Sequence, residues 1–335
     1  MKRDSLSCHV QNYFMSYLIG QRGYGENTVA SYRDTFKLLF GYLKTKPKAI
    51  AKLRLADVDR TCITQFLQWL EAERKNAVST RNVRLAHFKS FFGYVLSNSP
   101  ELADHCSQII NVPFKKAEKR PPAYLTESET KALLQTPDSS SRTGLRHMAM
   151  LTLLYDSACR VQELIGLNVS DVTLGRICKI FVKGKGEKFR EIPILPETGK
   201  LLRKYIDAYG LCLEHPLFFN KQGNRLTRAG VAHIMDKYLH MAKNQNKDFS
   251  HEKASPHRMR NSKATHLVNH GVNIYDVRDF LGHASVATTQ IYLTSNPEAT
   301  RAAIENAALK TVPDSANFYS PEEKADLMEF LKNLV

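Results

Sequence analysis

Six residues between positions 160 and 292 have side chains that together could carry out phosphoryl transfer. They are two arginines, two histidines, a lysine in a glycine-rich turn and a tyrosine: Arg160, Lys185, His257, Arg260, His283 and Tyr292. Arginines and imidazoles neutralise the negative charge of a pentavalent phosphate, and a lysine can protonate a leaving oxygen. A tyrosine can attack the phosphorus and hold the phosphate covalently. The set therefore indicates phosphoryl transfer that requires no metal ion.

The spacing of these residues fits a shared site. His257 and Arg260 stand three positions apart, so on a helix both side chains project from one side and can contact one phosphate. Arg160 and Arg260 would supply permanent positive charge. A neutral phenol is a weak nucleophile, so Tyr292 needs a proton acceptor, and His257 is the obvious one. His283 would donate a hydrogen bond to the phosphate. Taken singly, each residue also fits an ordinary structural role, and their joint occurrence favours catalysis.

Several segments resemble the motifs of a known family, the tyrosine recombinases, which include phage integrases, Xer-type resolvases and transposon-encoded integrases. Residues 158–164 are similar to the first arginine box of the family, residues 184–188 to its β-hairpin turn, and residues 255–267 to its second arginine box. Residues 281–283 and Tyr292 are similar to the third box and the nucleophile.

The resemblance implies a role for each of the six residues. The two arginines would hold the scissile phosphate. Lys185 would protonate the leaving 5′ oxygen, although Lys183 and Lys188 flank it and could act instead. Tyr292 would form a 3′-phosphotyrosine, which conserves bond energy, so the strands can be rejoined without ATP or another cofactor. The expected activity is site-specific recombination of double-stranded DNA with inverted half-sites, by a dimer on each site and a tetramer in the synapse.

Two positions in the second arginine box depart from the family pattern. The family commonly has a second histidine and an aromatic residue after the arginine, where this chain has Asn261 and Lys263. Neither is a catalytic position in the pattern, so we expect activity to be retained and local packing or DNA contact to differ. These residues, and the long segment after Tyr292, favour a mobile-element recombinase.

The hydrophobic pattern predicts a mainly α fold with a small antiparallel β-sheet in the C-terminal domain, and the resemblance implies the two-domain tyrosine-recombinase architecture. Residues 8–112 carry four apolar helical stripes, which predict a helical DNA-binding domain. A basic, proline-flanked linker follows at 113–122. The catalytic domain, residues 123–312, contains two strands, 177–182 and 189–194, that should pair around the lysine turn.

The C-terminal tail, residues 313–335, predicts a separate short helix. Ser320 and Glu323 can form a capping box, and Pro321 suits the first helical position. One side of this helix is apolar: Leu327, Leu331 and Leu334. A helix this short is marginal alone and needs a groove. We expect it to dock on a neighbouring protomer, with docking on its own domain as the alternative.

The chain is basic, with 48 Lys and Arg against 33 Asp and Glu and a formal net charge of +15. The excess is spread over the residues before and after position 112, so it is not a basic tail on a neutral enzyme. DNA that contacts both domains explains this spread, because phosphate neutralisation supplies most non-specific affinity. The candidate DNA contacts lie on the fourth helix and in the linker: Arg81, Arg84, Lys89, Lys115, Lys116, Lys119 and Arg120.

The remaining composition argues against a metal site or a membrane protein. The six cysteines form no Cys-x-x-Cys pair, and Cys212 with His215 has no second pair at zinc spacing. The N-terminus leads into no signal-peptide core, and the most apolar stretch, residues 148–155, is too short to span a bilayer. We therefore expect no metal and a cytoplasmic location.

Two other functions share part of this pattern. A type IB topoisomerase resembles this family in catalytic logic and also uses a tyrosine, but the compact N-terminal helical domain and the closely spaced motifs favour a recombinase. A DNA-binding protein that keeps the fold without catalysis would be expected to lack the nucleophile or an arginine, and neither is missing. Because the core-binding domain begins near residue 8, we also expect no arm-site domain of the kind that many phage integrases carry.

Overall fold

The computed structural model of the chain describes residues 5–44, 53–118, 122–184, 189–245, 249 and 254–295. These residues are mostly helical and include one small antiparallel sheet, as the sequence predicted. The chain divides into two compact units, Met1–Lys119 and Arg120–Val335. The exact bounds of the linker and of the tail stay predictions, and the tail lies outside the described residues.

The first unit contains five α-helices in the part of it that is described. They are α1 (Leu6–Asn12), α2 (Glu26–Lys44), α3 (Arg60–Ala72), α4 (Val78–Asn98) and α5 (Ala103–Ile110), and a π-helical segment, Tyr13–Gln21, continues α1. The four apolar helical stripes of the sequence therefore predicted one α-helix too few in this unit. Helix α5 has only 8 residues, and of these only Cys106 and Ile109 are buried. Two buried positions are too few to give a periodic pattern.

Aromatic side chains form the core of the first unit. Phe66, Phe88 and Phe91 are buried, and Phe88 packs edge-on against Phe66 with ring centroids 5.7 Å apart. Such pairs place the positive edge of one ring against the negative face of the other. Tyr13 joins the same cluster, and its hydroxyl donates to Ser90 Oγ at 2.8 Å. The aromatic residues of α4 are therefore core residues, as expected.

The described part of the second unit contains seven α-helices and a small sheet. The helices are α6 (Glu127–Gln135), α7 (Arg142–Ser157), α8 (Val161–Gly166), α9 (Pro196–Tyr209), α10 (Arg228–Gln245), α11 (Pro256–Asn269) and α12 (Ile274–Leu281). The strands are β1 (Val172–Thr173), β2 (Lys179–Lys183) and β3 (Phe189–Pro193), in the order β1-β2-β3. Both strand pairs are antiparallel. The predicted pairing of β2 with β3 is confirmed, whereas β1 was not predicted.

Helix α7 lies at the centre of the second core. Leu151, Leu153 and Leu154 are fully buried, and the helix contacts α9 and α11. Apolar residues around the whole circumference are typical of a buried helix. The helix ends at Ala158, whose φ of 45° is left-handed, an uncommon conformation for a residue other than glycine. The chain then begins α8, with Arg160 as the N-cap residue.

Gly144 lies in the first turn of α7, where there is no room for a side chain. A Cβ there would lie 1.9 Å from the backbone oxygen of Asp138, so Gly144→Ala must displace the chain. We expect chemical denaturation to show a loss of about 1–3 kcal/mol in the free energy of unfolding, the usual cost of overpacking. Gly166→Ala is the matched control, because its Cβ would meet nothing within 4 Å. Equal stability of the two variants would contradict the close packing at Gly144.

Candidate active site

Arg160 stands at the start of α8, where its backbone and its side chain share one acidic partner. The backbone N–H donates to Glu163 Oε2 at 2.7 Å, and Nη1 donates to Glu163 Oε1 at 3.0 Å. The second guanidinium nitrogen, Nη2, donates to the carbonyl oxygen of Gly282 at 3.3 Å. The side chain is still 43% exposed. The guanidinium is therefore oriented by the protein and remains accessible to a phosphate.

Arg190 on β3 belongs to the same network, although the sequence analysis did not single it out. It makes two parallel hydrogen bonds to the carboxylate of Glu163, each 2.9 Å long. Burial alone would raise the pKa of Glu163, but the hydrogen bonds from Arg190 and Arg160 outweigh burial, and the pKa is lowered. A signal did exist in the sequence. Arg190 stands two residues before the core residue Ile192, so it faces inward along the strand and needs a partner.

Gly282 connects this network to the segment that carries His283. The residue ends α12 with a φ of 64°, a conformation that glycine adopts without steric cost. A Cβ at this position would lie 2.9 Å from Arg190 Cζ. Because Gly282 has no side chain, Arg190 can approach the backbone closely. The carbonyl oxygen of Gly282 at the same time accepts a hydrogen bond from Arg160.

Arg260 on α11 is buried, with an exposed fraction of 3%. Its Nη1 donates to the carbonyl oxygen of Ala158 at 2.6 Å, and its Nη2 donates to the carbonyl oxygen of Leu281. Burial, followed by the charge of Arg160, lowers the pKa of Arg260 to about 10. The group is still charged at neutral pH. It is held by two helix ends, since Ala158 follows α7 and Leu281 closes α12.

The two histidines lie within the field of these arginines. His257 reaches the surface at the start of α11, and its pKa is lowered by partial desolvation and then by the charges of Arg260 and Arg160. Burial and the same two charges lower the pKa of His283 to about 4. Both imidazoles are therefore neutral at pH 7, and a neutral imidazole can accept a proton. His283 Nδ1 lies 2.9 Å from the hydroxyl of the buried residue Thr289.

Tyr292 lies in a 3₁₀ segment, Gln290–Ser295, and only 2% of it is exposed. Its hydroxyl donates to Asn261 Oδ1 at 3.0 Å. Burial raises the pKa of the phenol, and the charge of Arg260 opposes that rise. The ring packs in a small apolar cluster: Ala158, Ala264, Val277 and Leu281. Asn261 is the residue next to Arg260, so the tyrosine lies beside the arginine pocket with its hydroxyl turned onto an amide.

The structure thus places five of the six predicted catalytic residues in one region of the second unit. Arg160 and Arg260 bind the carbonyl oxygens of the two residues that precede His283, and both arginines lower the pKa of His257. Lys185 and its alternative Lys188 lie outside the described residues. The other alternative, Lys183, ends β2, and its Nζ lies 5.8 Å from the centre of the Phe189 ring.

Four of the five described DNA-contact candidates have partners within the protein. Arg84 Nη1 donates to the carbonyl oxygen of Ser31 and to Thr35 Oγ1, which ties α4 to α2. Lys115 Nζ binds Glu71 at 2.7 Å. The other described candidates are Arg81, which donates to the carbonyl oxygen of Pro113, Lys89, which lies over the Phe114 ring, and the exposed Lys116. Lys119 and Arg120 lie outside the described residues. Contact of these seven residues with DNA stays a prediction.

The described residues hold no group of three or more His, Cys, Asp or Glu side chains that could bind a metal ion. Within the same ranges, every helix is too short or too polar to cross a membrane.

This fold and this arrangement of residues are typical of enzymes that break and rejoin DNA strands with a tyrosine. Family models match both units: residues 12–98 match the N-terminal SAM-like domain of phage integrases, and residues 123–299 match the phage integrase family. A putative integrase/recombinase of Sinorhizobium fredii, y4rC, is 32% identical over 334 residues, which is 99% of each chain. The tyrosine recombinase XerC of Herpetosiphon aurantiacus is 34% identical over 295 residues, 86% of this chain and 91% of XerC.

Solved structures share the fold. The integrase of the transposon Tn1549, in complex with a circular intermediate DNA, superposes with a TM-score of 0.68 at 17% identity and covers 90% of this chain and 99% of its own. The XerH recombinase bound to a palindromic difH substrate gives a TM-score of 0.66 at 21% identity, over 86% of this chain and 81% of XerH. The chain belongs to the phage integrase family of tyrosine recombinases. It is a site-specific DNA recombinase.

The contact between Thr289 and His283 leads to a prediction about the tautomer of the imidazole. A neutral His283 has one N–H, and it can donate from Nε2 to a phosphate only if Thr289 donates its hydroxyl proton to Nδ1. We expect Thr289→Val to reduce single-turnover DNA cleavage roughly 10–100-fold, less than the loss of a direct oxyanion contact. Thr289→Ser should retain most of the rate, because it keeps the hydroxyl.

Thr288→Val is the matched control, since the Thr288 hydroxyl is exposed and donates to the carbonyl oxygen of Ser285. Cleavage would be followed as covalent protein on a nicked duplex in a denaturing gel. Wild-type rates in Thr289→Val would show that Thr289 does not set the proton position of His283.

Proposed function

We propose that this recombinase cuts and rejoins double-stranded DNA at inverted half-sites through a 3′-phosphotyrosine at Tyr292. The observation that carries the proposal is the network around Arg260. That guanidinium binds the two helix ends from which Arg160 and His283 follow, and its neighbour Asn261 holds the hydroxyl of Tyr292. Phosphate-binding groups and a nucleophile are thus supported by one set of contacts.

In the first step Tyr292 attacks the scissile phosphate. Arg160 and Arg260 bind its non-bridging oxygens and offset the negative charge that develops in the transition state. His257, which is neutral at pH 7, accepts the phenolic proton. His283 donates a hydrogen bond to the phosphate, and Lys185 protonates the leaving 5′ oxygen. One P–O bond to the tyrosine forms as the bond to the 5′ oxygen breaks.

In the second step the 5′ hydroxyl of a partner strand attacks the phosphotyrosine. The bond to Tyr292 breaks as the bond to the 5′ oxygen forms. Lys185, left neutral by the first step, takes the proton of the 5′ hydroxyl, and His257 returns a proton to the phenolate. The phosphodiester is then restored in a new strand. The number of phosphodiester bonds does not change, so the exchange needs no external energy source.

The proposed partner is DNA with two inverted half-sites, each bound by one protomer. Two such dimers would form a tetrameric synapse. The XerH and Tn1549 relatives in the fold comparison were solved on DNA, XerH on a palindromic substrate. The net charge of +15 suits a polyanion. The proposed location is the cytoplasm, together with the DNA. The tail, residues 313–335, would dock on a neighbouring protomer.

The proposed biological role is integration or excision of a mobile element, with resolution of DNA multimers as the alternative. A relative named as a putative integrase/recombinase aligns with the whole length of the chain. The departures at Asn261 and Lys263 from the pattern common in the family support the same choice.

Site dependence separates recombination from topoisomerase activity. We expect the purified protein to convert a supercoiled plasmid that carries two copies of its element end or chromosomal site into recombinant circles. A plasmid without these sites should stay supercoiled, because cleavage requires specific half-sites. Agarose gels with sequencing of the junctions would measure both outcomes. Relaxation of the site-free plasmid at an equal rate would instead indicate a topoisomerase.

Tyr292→Phe should abolish formation of covalent protein–DNA complex, because only the attacking hydroxyl is lost. Binding to duplex DNA should stay within a few-fold of the wild-type affinity. A nicked suicide substrate would trap the complex, and a gel shift would measure binding. Tyr275→Phe on α12 is the control, since Tyr275 is exposed. Trapping by Tyr292→Phe, together with its loss in Tyr319→Phe, would assign the nucleophile to Tyr319.

A further inference from the structure

We propose that Asn261 is a positioning residue that stores the nucleophile of the free protein in an unreactive position. The inference rests on the proposed function of Tyr292. The observation that supports it is the hydrogen bond from the Tyr292 hydroxyl to Asn261 Oδ1, which is 3.0 Å long. The two residues are only 2% and 4% exposed. DNA cleavage then requires that this contact be broken.

The amide of Asn261 has only one orientation that satisfies its partners. Its Nδ2 donates to the carbonyl oxygen of Ala123 at 3.3 Å, so Oδ1 must face the tyrosine. The reverse orientation would place an oxygen against the carbonyl oxygen of Ala123 and leave that acceptor without its hydrogen bond. The segment around Ala123 is itself fixed to α11, because Leu125 N–H donates to Ser262 Oγ at 2.8 Å. Asn261 is therefore a rigid acceptor.

The stored position is chemically unfavourable for attack. An amide oxygen accepts a hydrogen bond but does not remove the proton, whereas the proposed base, His257, has no contact with the hydroxyl among the hydrogen bonds of the described residues. Burial keeps the phenol in its neutral form. Release of Tyr292 would at once expose its oxygen and separate it from the amide.

The position of Asn261 in the sequence supports a role particular to this chain. It follows Arg260 directly, at the position where the family commonly has a histidine. Because an asparagine amide does not titrate near neutral pH, the hold on Tyr292 would not change with pH. The contact instead responds to anything that moves the 3₁₀ segment of Tyr292 relative to α11.

The test compares Asn261→Leu with Thr265→Val, a second buried position on α11. Asn261→Leu keeps the volume of the side chain and removes the acceptor for Tyr292. Thr265→Val replaces a buried hydroxyl that has no hydrogen-bond partner among the described residues, and it leaves the contact between Asn261 and Tyr292 in place. The first measurement is nitration of Tyr292 by tetranitromethane in the free protein, quantified by peptide mass spectrometry. We expect several-fold faster nitration in Asn261→Leu and no change in Thr265→Val.

The second measurement is the rate of covalent trapping on a suicide duplex that carries one half-site. Removal of a neutral hydrogen bond should raise this rate about 3–10-fold in Asn261→Leu at unchanged DNA affinity. If circular dichroism shows that Asn261→Leu does not fold, Asn261→Ser replaces it in both measurements, because the serine hydroxyl is too short to reach Tyr292. Unchanged nitration, or slower trapping by a folded variant, would overturn the proposal. Absence of trapping in the wild type would instead count against Tyr292 as the nucleophile.

Discussion

The buried guanidinium of Arg260 is the group on which the rest of the site depends. A charge at this depth is costly unless it is hydrogen-bonded, and Arg260 meets that requirement with the carbonyl oxygens at the ends of α7 and α12. Arg160 and His283 each follow two residues beyond one of these carbonyls. A single side chain on α11 therefore binds both helix ends that lead to Arg160 and His283, two proposed catalytic residues that are far apart in sequence.

The charges in the site decide how the histidines work. Glu163 binds Arg160 and Arg190 at once, whereas the guanidinium of Arg260 donates to backbone oxygens. One carboxylate cannot neutralise three guanidinium groups, so a net positive charge remains near the histidines. Burial and this positive charge together keep the pKa of both imidazoles low. A neutral imidazole can accept one proton and donate another, which a protonated ring cannot do. The arginines thus help to keep both imidazoles in the neutral form that the proposed mechanism requires.

The sequence singled out the residues proposed to act on a phosphate, and the structure places five of the six in one region, whereas residues that contact them were missed. The types and spacing of His257, Arg260 and Tyr292 made them candidates, because they suit chemistry that few other residues perform, and their catalytic roles stay predictions. Arg190 and Thr289 were missed, since their roles depend on partners on other elements that no local pattern reveals. The apolar helical stripes predicted most of the helices. The short helix α5 was missed because its two buried residues give no periodic pattern. Arg84 was predicted as a DNA contact, and its hydrogen bonds to Ser31 and Thr35, which join α4 to α2, could not be read from the sequence.

Gly282 is constrained in two independent ways. Its backbone has a positive φ, and the space where a side chain would stand is occupied by the guanidinium of Arg190. A shorter residue at position 190 would restore the space but not the backbone preference. A residue such as asparagine at 282 tolerates the backbone angle but not the crowding. Loss of this glycine therefore requires two changes together, a residue such as asparagine at 282 and a shorter residue at 190, so the corner before His283 cannot vary by one substitution at a time.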